Sequence, residues 1–335
     1  MSASLDLSRW RGTPHGINYR RWTIVSYGLR QLFRLRFFKI LLALAWVSGF
    51  LIALLGLAFA QSVTDGGWLE TLARQISPRA EATVSAMGAI VLLYPDICIG
   101  GFYSVVFWLH SYVGLWVSLF AMTALLPRLI TRDRATNALI VYLSRPITSA
   151  DYLLGKLGII LGVLLCMWSG PLLFGWLLSV AFAPNTDFII HSFGPLLDAL
   201  LFHTIGVVTL AAIALGVSAI SRTSRNTLML WVGLWVILGV VTSVISGRNR
   251  SDSPVWIQRA SFTHNLNEVR AGILRPDQAL ITAGEELPIT NRDFAANLKR
   301  VGARSTSSDF DGALYSLAGF VVLSSFVFLR RMRPE

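Results

Sequence analysis

Ionisable side chains are scarce in this chain, so each can be weighed by where it falls. Charged residues make up 14% of 335, against about 25% in an ordinary soluble domain. His110, Asp198 and His203 stand within or at the edge of long apolar runs. A charge held in lipid costs about 2.5–3.5 kcal/mol, so such groups are functional candidates by default. A place on a transport path is the chemistry they offer. Hydrogen bonding between helices, or exposure at the interface for Asp198, is the commoner use. Asp198 and His203 are five residues apart and do not share a helix face well. Cys98 and Cys166 lie far apart without a CxxC pair, so neither a disulfide framework nor a zinc site follows. No Asp-x-x-Asp or His-x-x-x-His spacing is available for a metal-assisted reaction, and no site for a metal is expected. No motif sets a Ser or Cys nucleophile beside a His base. Gly155-Lys156 lacks the upstream glycine of a phosphate-binding loop.

These residues must be placed by long apolar helices. Hydrophobic residues reach 54%, which excludes a disordered chain. A bilayer core takes roughly 20 apolar residues in helix. Six stretches qualify: 40–60, 105–126, 157–182, 196–220, 228–246 and 312–329. The fourth and fifth are joined by the short polar run Ser221–Thr227, which suits a tight hairpin. Residues 86–94 are apolar too, but Tyr94-Pro95-Asp96 breaks that run. A seventh span there would invert everything downstream. We read residues 86–94 as a short helix outside the membrane or dipping into it.

The net charge of +11 would point to nucleic acid on a soluble protein. Here its distribution sets orientation instead. Residues 1–39 hold eight basic side chains and one acid, and basic residues dominate 127–156, 221–227 and 330–335 as well. The loop after the first span carries more acids than bases. Alternation places both termini in the cytoplasm. The expected fold is all-α and integral to the membrane. Residues 1–39 form a cytoplasmic N-terminus and 40–246 carry five spans. Residues 247–311 form an extracytoplasmic loop or small subdomain, and 312–335 the sixth span with a basic tail. Long loops cross regardless of their charge.

Residues 19–38 are not a span, because arginine recurs through them. Trp22, Val25, Leu29, Leu32 and Phe33 share one face, and Thr23, Ser26, Arg30 and Arg34 another. This pattern predicts an amphipathic helix in the headgroup region, with arginines toward anionic lipid. Gly155, Gly158 and Gly162 form a small-residue stripe suited to close helix packing. Gly170-Pro171 predicts a kink in the third span. In the fifth loop, 260–271 reads as a helix capped by Ser261 or Thr263, and 276–283 as a second. Residues 282–293 read as loop and 305–308 as a flexible run. About 65 residues is too long for a bare connector.

The most informative stretch is 131–156, TRDRATNALIVYLSRPITSADYLLGK. Leu139, Ile140, Tyr142 and Leu143 make one side of a short helix that Pro146 ends. Thr148 and Asp151 then have capping-box spacing at the start of the third span. This stretch resembles the first cytoplasmic loop of ABC-2-type permeases. Asp133-Arg134 matches the family's acidic-basic pair and Thr136 its threonine. Leu139 and Leu143 match the leucines, Ser144-Arg145-Pro146 the turn, and Gly155-Lys156 the pair opening the third span. The family's glycine before the threonine is Ala135 here.

The resemblance implies a permease that pairs with a second copy or homologue. A separate cytoplasmic ATPase, which binds ATP and Mg, would dock on the 131–156 loop and the N-terminal helix. This chain would then hold no cofactor and no nucleic acid, and would contact membrane lipids. It would sit in a bacterial inner membrane, with export favoured over import. A membrane-embedded enzyme of lipid or cofactor metabolism and a non-transporting assembly factor are the competing classes.

Overall fold

The computed structural model describes residues 16–64, 66–131, 149–221, 223–248, 255–289 and 291–331. Every regular element among them is helical. Six helical runs are long and apolar enough to cross a membrane: Arg36–Gln61, Asp96–Leu129, Asp151–Ala181, Asp187–Ile220, Ser224–Thr242, and one within Arg292–Arg331. Each expected span coincides with one of these runs, although 157–182 and 228–246 end beyond Ala181 and Thr242, where the third and fifth runs stop.

The first helix among the described residues, α1 (Ile17–Phe33), turns at Arg34 and Leu35 into α2 (Arg36–Gln61), the first span. The expected single helix over 19–38 is therefore two. Leu35 is extended, at φ −77° and ψ 126°, and Phe38 is buried in the following helix. Short helices α3 (Trp68–Ile76) and α4 (Pro78–Leu93) come next. Ser77 caps α4, its hydroxyl accepting from Ala80 N at 3.1 Å, with Pro78 in the first turn where its missing N–H costs nothing. At Tyr94-Pro95 the helix ends as expected. A π turn (Asp96–Gly100) leads into α5 (Gly101–Leu126), the second span, closed by another π turn at Pro127–Thr131.

The third span is α6 (Ser149–Leu164) and α7 (Gly170–Ala181), joined by a π turn at Leu165–Ser169. The irregularity expected at Gly170-Pro171 takes this form: proline lacks an N–H, and a π turn just before it absorbs the break. Then come α8 (Asp187–Ile220), the fourth span, and α9 (Ser224–Val232), a π turn and α10 (Leu238–Arg248), the fifth. Thr223 caps α9, accepting from Asn226 N at 3.3 Å, so the 221–227 connection is the tight hairpin its sequence predicts.

The fifth loop holds α11 (Val255–Arg259), α12 (Phe262–Leu274), α13 (Pro276–Glu286) and α14 (Arg292–Ser305). Ser261 does cap α12. The expected loop at 282–293 is mostly helix: α13 runs to Glu286, and α14 starts at Arg292 under an Asn291 cap. The sixth span is α15 (Phe310–Arg331).

Packing follows the small residues. The α2 and α7 backbones approach closely through Gly49 and Gly175; a Cβ on Gly175 would meet Gly49 O at 2.5 Å, and one on Gly49 would meet Pro171 O at 2.5 Å. Lipid tails give no hydrophobic drive between spans, so this close fit is what holds them. Further pairs are α8 with α15, α5 with α2 and α8, and α1 with α6. Helix α12 does not stand apart from the bundle. It packs on α5, α8 and α15, with Phe262, Leu266 and Val269 fully buried. Phe262 faces Trp231 and Phe320, both well inside spans. Large apolar side chains such as Phe50, Leu54, Leu323 and Phe326 are left outside, as a lipid-facing surface requires.

Candidate functional site

Of the residues matched to the coupling loop, Asp133, Arg134, Thr136, Leu139, Leu143, Ser144, Arg145 and Pro146 lie outside the described residues. Both roots of that loop are described. At its start, Thr131 Oγ1 is buried 2.9 Å from Thr227 Oγ1 and 3.3 Å from both Ser218 O and Ser218 Oγ. The end of α5 is thereby tied to the hairpin between the fourth and fifth spans. Each such bond is worth about 0.5–1.5 kcal/mol net.

At its end, Asp151 takes the guanidinium of Arg21, with Nε at 2.8 Å and Nη2 at 2.5 Å. The Asp151 side chain is only 4% exposed and that of Arg21 34%. Two charge-assisted bonds from one fork fix α1 against the start of the third span. The glycine stripe does the same with shape. A Cβ on Gly155 would strike Ile24, one on Gly158 would meet Val25 Cγ2 at 2.7 Å, and Gly162 lies under Leu29. From α1, Gly28 returns the fit by admitting Ile159. So the stripe seats α1, and Gly155 of the expected opening pair belongs to that seat. Its partner Lys156 is buried, with Nζ 5.3 Å from the Tyr152 ring. On α1, Leu29 faces α6, while Trp22, Arg30 and Phe33 remain exposed, as does Arg34 in the turn that follows.

Sequence reasoning missed Arg21. It also assigned Asp151 to a cap with Thr148, which lies outside the described residues. The available signal was a lone acid at a span start in a basic region, facing a helix with paired arginines.

The three ionisable candidates inside the spans divide. His110 and His203 meet, with ring centroids 5.8 Å apart. His110 Nε2 donates to Trp168 O at 3.0 Å, and its Nδ1 lies 3.0 Å from Ser48 Oγ. His203 Nε2 lies 3.0 Å from Ser111 Oγ, and its Nδ1 lies 3.3 Å from Ser169 Oγ. Both rings are buried. This polar node joins the first four spans at the π turn of the third. Trp168 fills its centre because Gly114 and Gly206 leave room: a Cβ on Gly206 would strike the indole at 2.5 Å. Asp198 is elsewhere. It is exposed and lines a cavity of about 690 Å³ with Arg275, Asp277 and Gln278 at the α12–α13 corner. Arg275 turns that corner in the left-handed region at φ 43°, a conformation costly for a residue with a Cβ.

Glu268 ties α12 to the start of the sixth span. Its carboxylate accepts from Ser307 Oγ at 3.0 Å, from Ser308 N at 2.8 Å and from Ser308 Oγ at 3.2 Å. Arg259 pairs with Asp309 on the same turn. Among the described residues, no group of three or more His, Cys, Asp or Glu side chains is placed to hold a metal ion.

This architecture, a bundle of six candidate spans with an N-terminal helix clamped to the third, defines a multi-pass membrane protein. The profile of the ABC-2 family transporter proteins matches residues 22–332, and the chain belongs to that family. Its members are membrane components without a nucleotide-binding domain of their own and pair with ATPase subunits. Neither the curated proteins nor the solved structures supply a match.

Proposed function

We propose that this chain is the permease subunit of an ABC transporter. It forms the translocation path with a second copy or a homologue, in a bacterial inner membrane. A separate ATPase that binds ATP and Mg docks on residues 131–156 and on α1. Docking uses Asp133-Arg134, Thr136, Leu139, Leu143 and the Ser144-Arg145-Pro146 turn. Trp22, Phe33, Arg30 and Arg34 face lipid headgroups from α1. Residues 247–311 lie on the outer side. Export is favoured over import, on the family resemblance.

The observation that carries this reading is the clamp between Arg21 and Asp151 with the glycine seat beneath it. A loop that takes force from an ATPase must be rooted in something rigid. Here one root is bonded to the hairpin of spans four and five, and the other to α1. Movement of the loop therefore moves spans two to five together with α1. Asp198, beside open space at the α12–α13 corner, remains the transport-path candidate. The satisfied hydrogen bonds of His110 and His203 favour joining helices over contact with a solute.

The test is copurification with the candidate ATPase. Leu139→Glu with Leu143→Glu is expected to abolish the complex while the permease itself still purifies intact. A complex retained at wild-type yield overturns the docking assignment.

A further inference from the structure

We propose that the buried face between α5, α12 and the fifth span is a binding site for an oxyanion on an apolar body, such as an alkyl phosphate or carboxylate. Arg270 is 6% exposed. It lies over two rings, its guanidinium carbon 4.8 Å from the Trp108 centroid and 4.7 Å from that of Tyr112. Its Nε and Nη1 are buried with no hydrogen-bond partner. No described carboxylate pairs with it. Arginine keeps its charge in proteins. The two ring faces offset part of that charge; a water molecule would satisfy an N–H but would supply no counter-charge.

Arg270 heads a row of unsatisfied donors. Tyr112 is 6.1 Å from Trp116, and Trp116 is 5.8 Å from Trp235. The indole Nε1 atoms of Trp108, Trp116 and Trp235 are all buried without partners, as is Asn267 Oδ1 one turn from Arg270 on α12. Trp231, in the same fifth span, instead donates to Leu119 O at 3.2 Å. Trp168 Nε1, at the histidine node, is also buried without a partner, so what sets the row apart is that its unpaired donors lie in line with a buried guanidinium. Trp116, Trp235, Thr263, His264 and Asn267 line a cavity of about 480 Å³. Five unpaired donor nitrogens along the row against one unpaired acceptor, with a fixed positive charge at one end, select an oxyanion. Arg270, Trp108 and Tyr112 do not themselves line the cavity, which adjoins them at Asn267 and Trp116 and selects an apolar body beside the anion. The anion could be a lipid headgroup or a soluble amphiphile; the chemistry is shared.

The test uses the full chain in neutral detergent, without any ATPase, so it stands or falls apart from the docking assignment. Decyl phosphate, decanol and inorganic phosphate are titrated, with bound ligand counted by native mass spectrometry and stability followed by thermal shift. Decyl phosphate is expected to bind saturably, with decanol and inorganic phosphate each at least about tenfold weaker, the scale of a charge-assisted bond or of a few buried methylenes. Arg270→Gln is expected to weaken decyl phosphate about tenfold or more. Asn267→Asp supplies an internal carboxylate one turn away, so it should raise the melting temperature without ligand and abolish binding. A merely structural Arg270 would give the first effect without the second. Trp235→Phe keeps the ring and the fold, loses one donor, and should weaken binding about threefold; it carries the test if Arg270→Gln does not fold. Displacement by dioleoylphosphatidylglycerol but not by dioleoylphosphatidylcholine assigns the ligand to lipid. No displacement by either assigns it to a soluble amphiphile. The proposal is overturned if decyl phosphate does not bind, if decanol or inorganic phosphate binds equally well, or if Asn267→Asp binds as the native chain does.

Discussion

Asp151 is the residue whose partner matters most. It is buried at the start of the third span and bonded through two nitrogens to one arginine. Arg21→Ala removes both charge-assisted bonds and is expected to cost about 2 kcal/mol. Because the two side chains share those bonds, the losses from Arg21→Ala and Asp151→Ala should not add in the double variant. Reversible unfolding in mixed micelles checks this; additive losses would exclude the clamp. The same scale shows what spacing could not reveal. His110 and His203 stood out as ionisable groups in apolar runs, but their meeting depends on how the second and fourth spans pack. No local pattern carries that. Asp198 lies near the start of its apolar run, and it is exposed in the structure.

Elements were legible where one period ran without competition. All six spans could be read because length and the absence of charge suffice for a bilayer helix. The break between α1 and α2 was not, since Arg34-Leu35 has neither glycine nor proline; the turn comes from α1 packing on α6 while α2 packs on α7. Helix α14 could have been found, because Asn291 is a capping residue and Phe294, Leu298 and Val301 recur at helical spacing. Helix α12 read as a helix but not as one inserted among spans. Its anchoring yields a prediction at this scale. Glu268 holds the turn at Ser307–Asp309 by accepting from several donors. Glu268→Ala is expected to raise amide exchange across 305–312 by about tenfold or more, the worth of a bond to a charged group. Exchange in α2 and α7 should not change. Equal acceleration in those helices would mean that Glu268 supports the whole bundle rather than one joint.

For the whole molecule, the question is which end of the bundle faces the ATPase. Three features gather at one end: the Thr131 knot, the 221–227 hairpin and the α1 clamp. Arg128, Arg225, Arg330 and Arg331 lie in the segments that reach it, whereas Asp96 opens the second span at its other end. On the positive-inside rule we propose that this end faces the cytoplasm. Helix direction extends the argument. Helix α5 runs toward the Thr131 knot and α6 away from it, α8 returns and α9 leaves, so α15 must come back for the basic tail to share that end. The consequence is a pair of opposite readouts. A reporter fused at Arg333 should report the cytoplasm. A single cysteine at Gln278, on α13 beside the cavity of Asp198, should react with a membrane-impermeant maleimide from outside, once Cys98 and Cys166 are replaced. Labelling at 278 only after the membrane is opened would invert the bundle. It would also leave residues 131–156 on the wrong side for any cytoplasmic ATPase, so this one measurement bears on every step from charge to coupling.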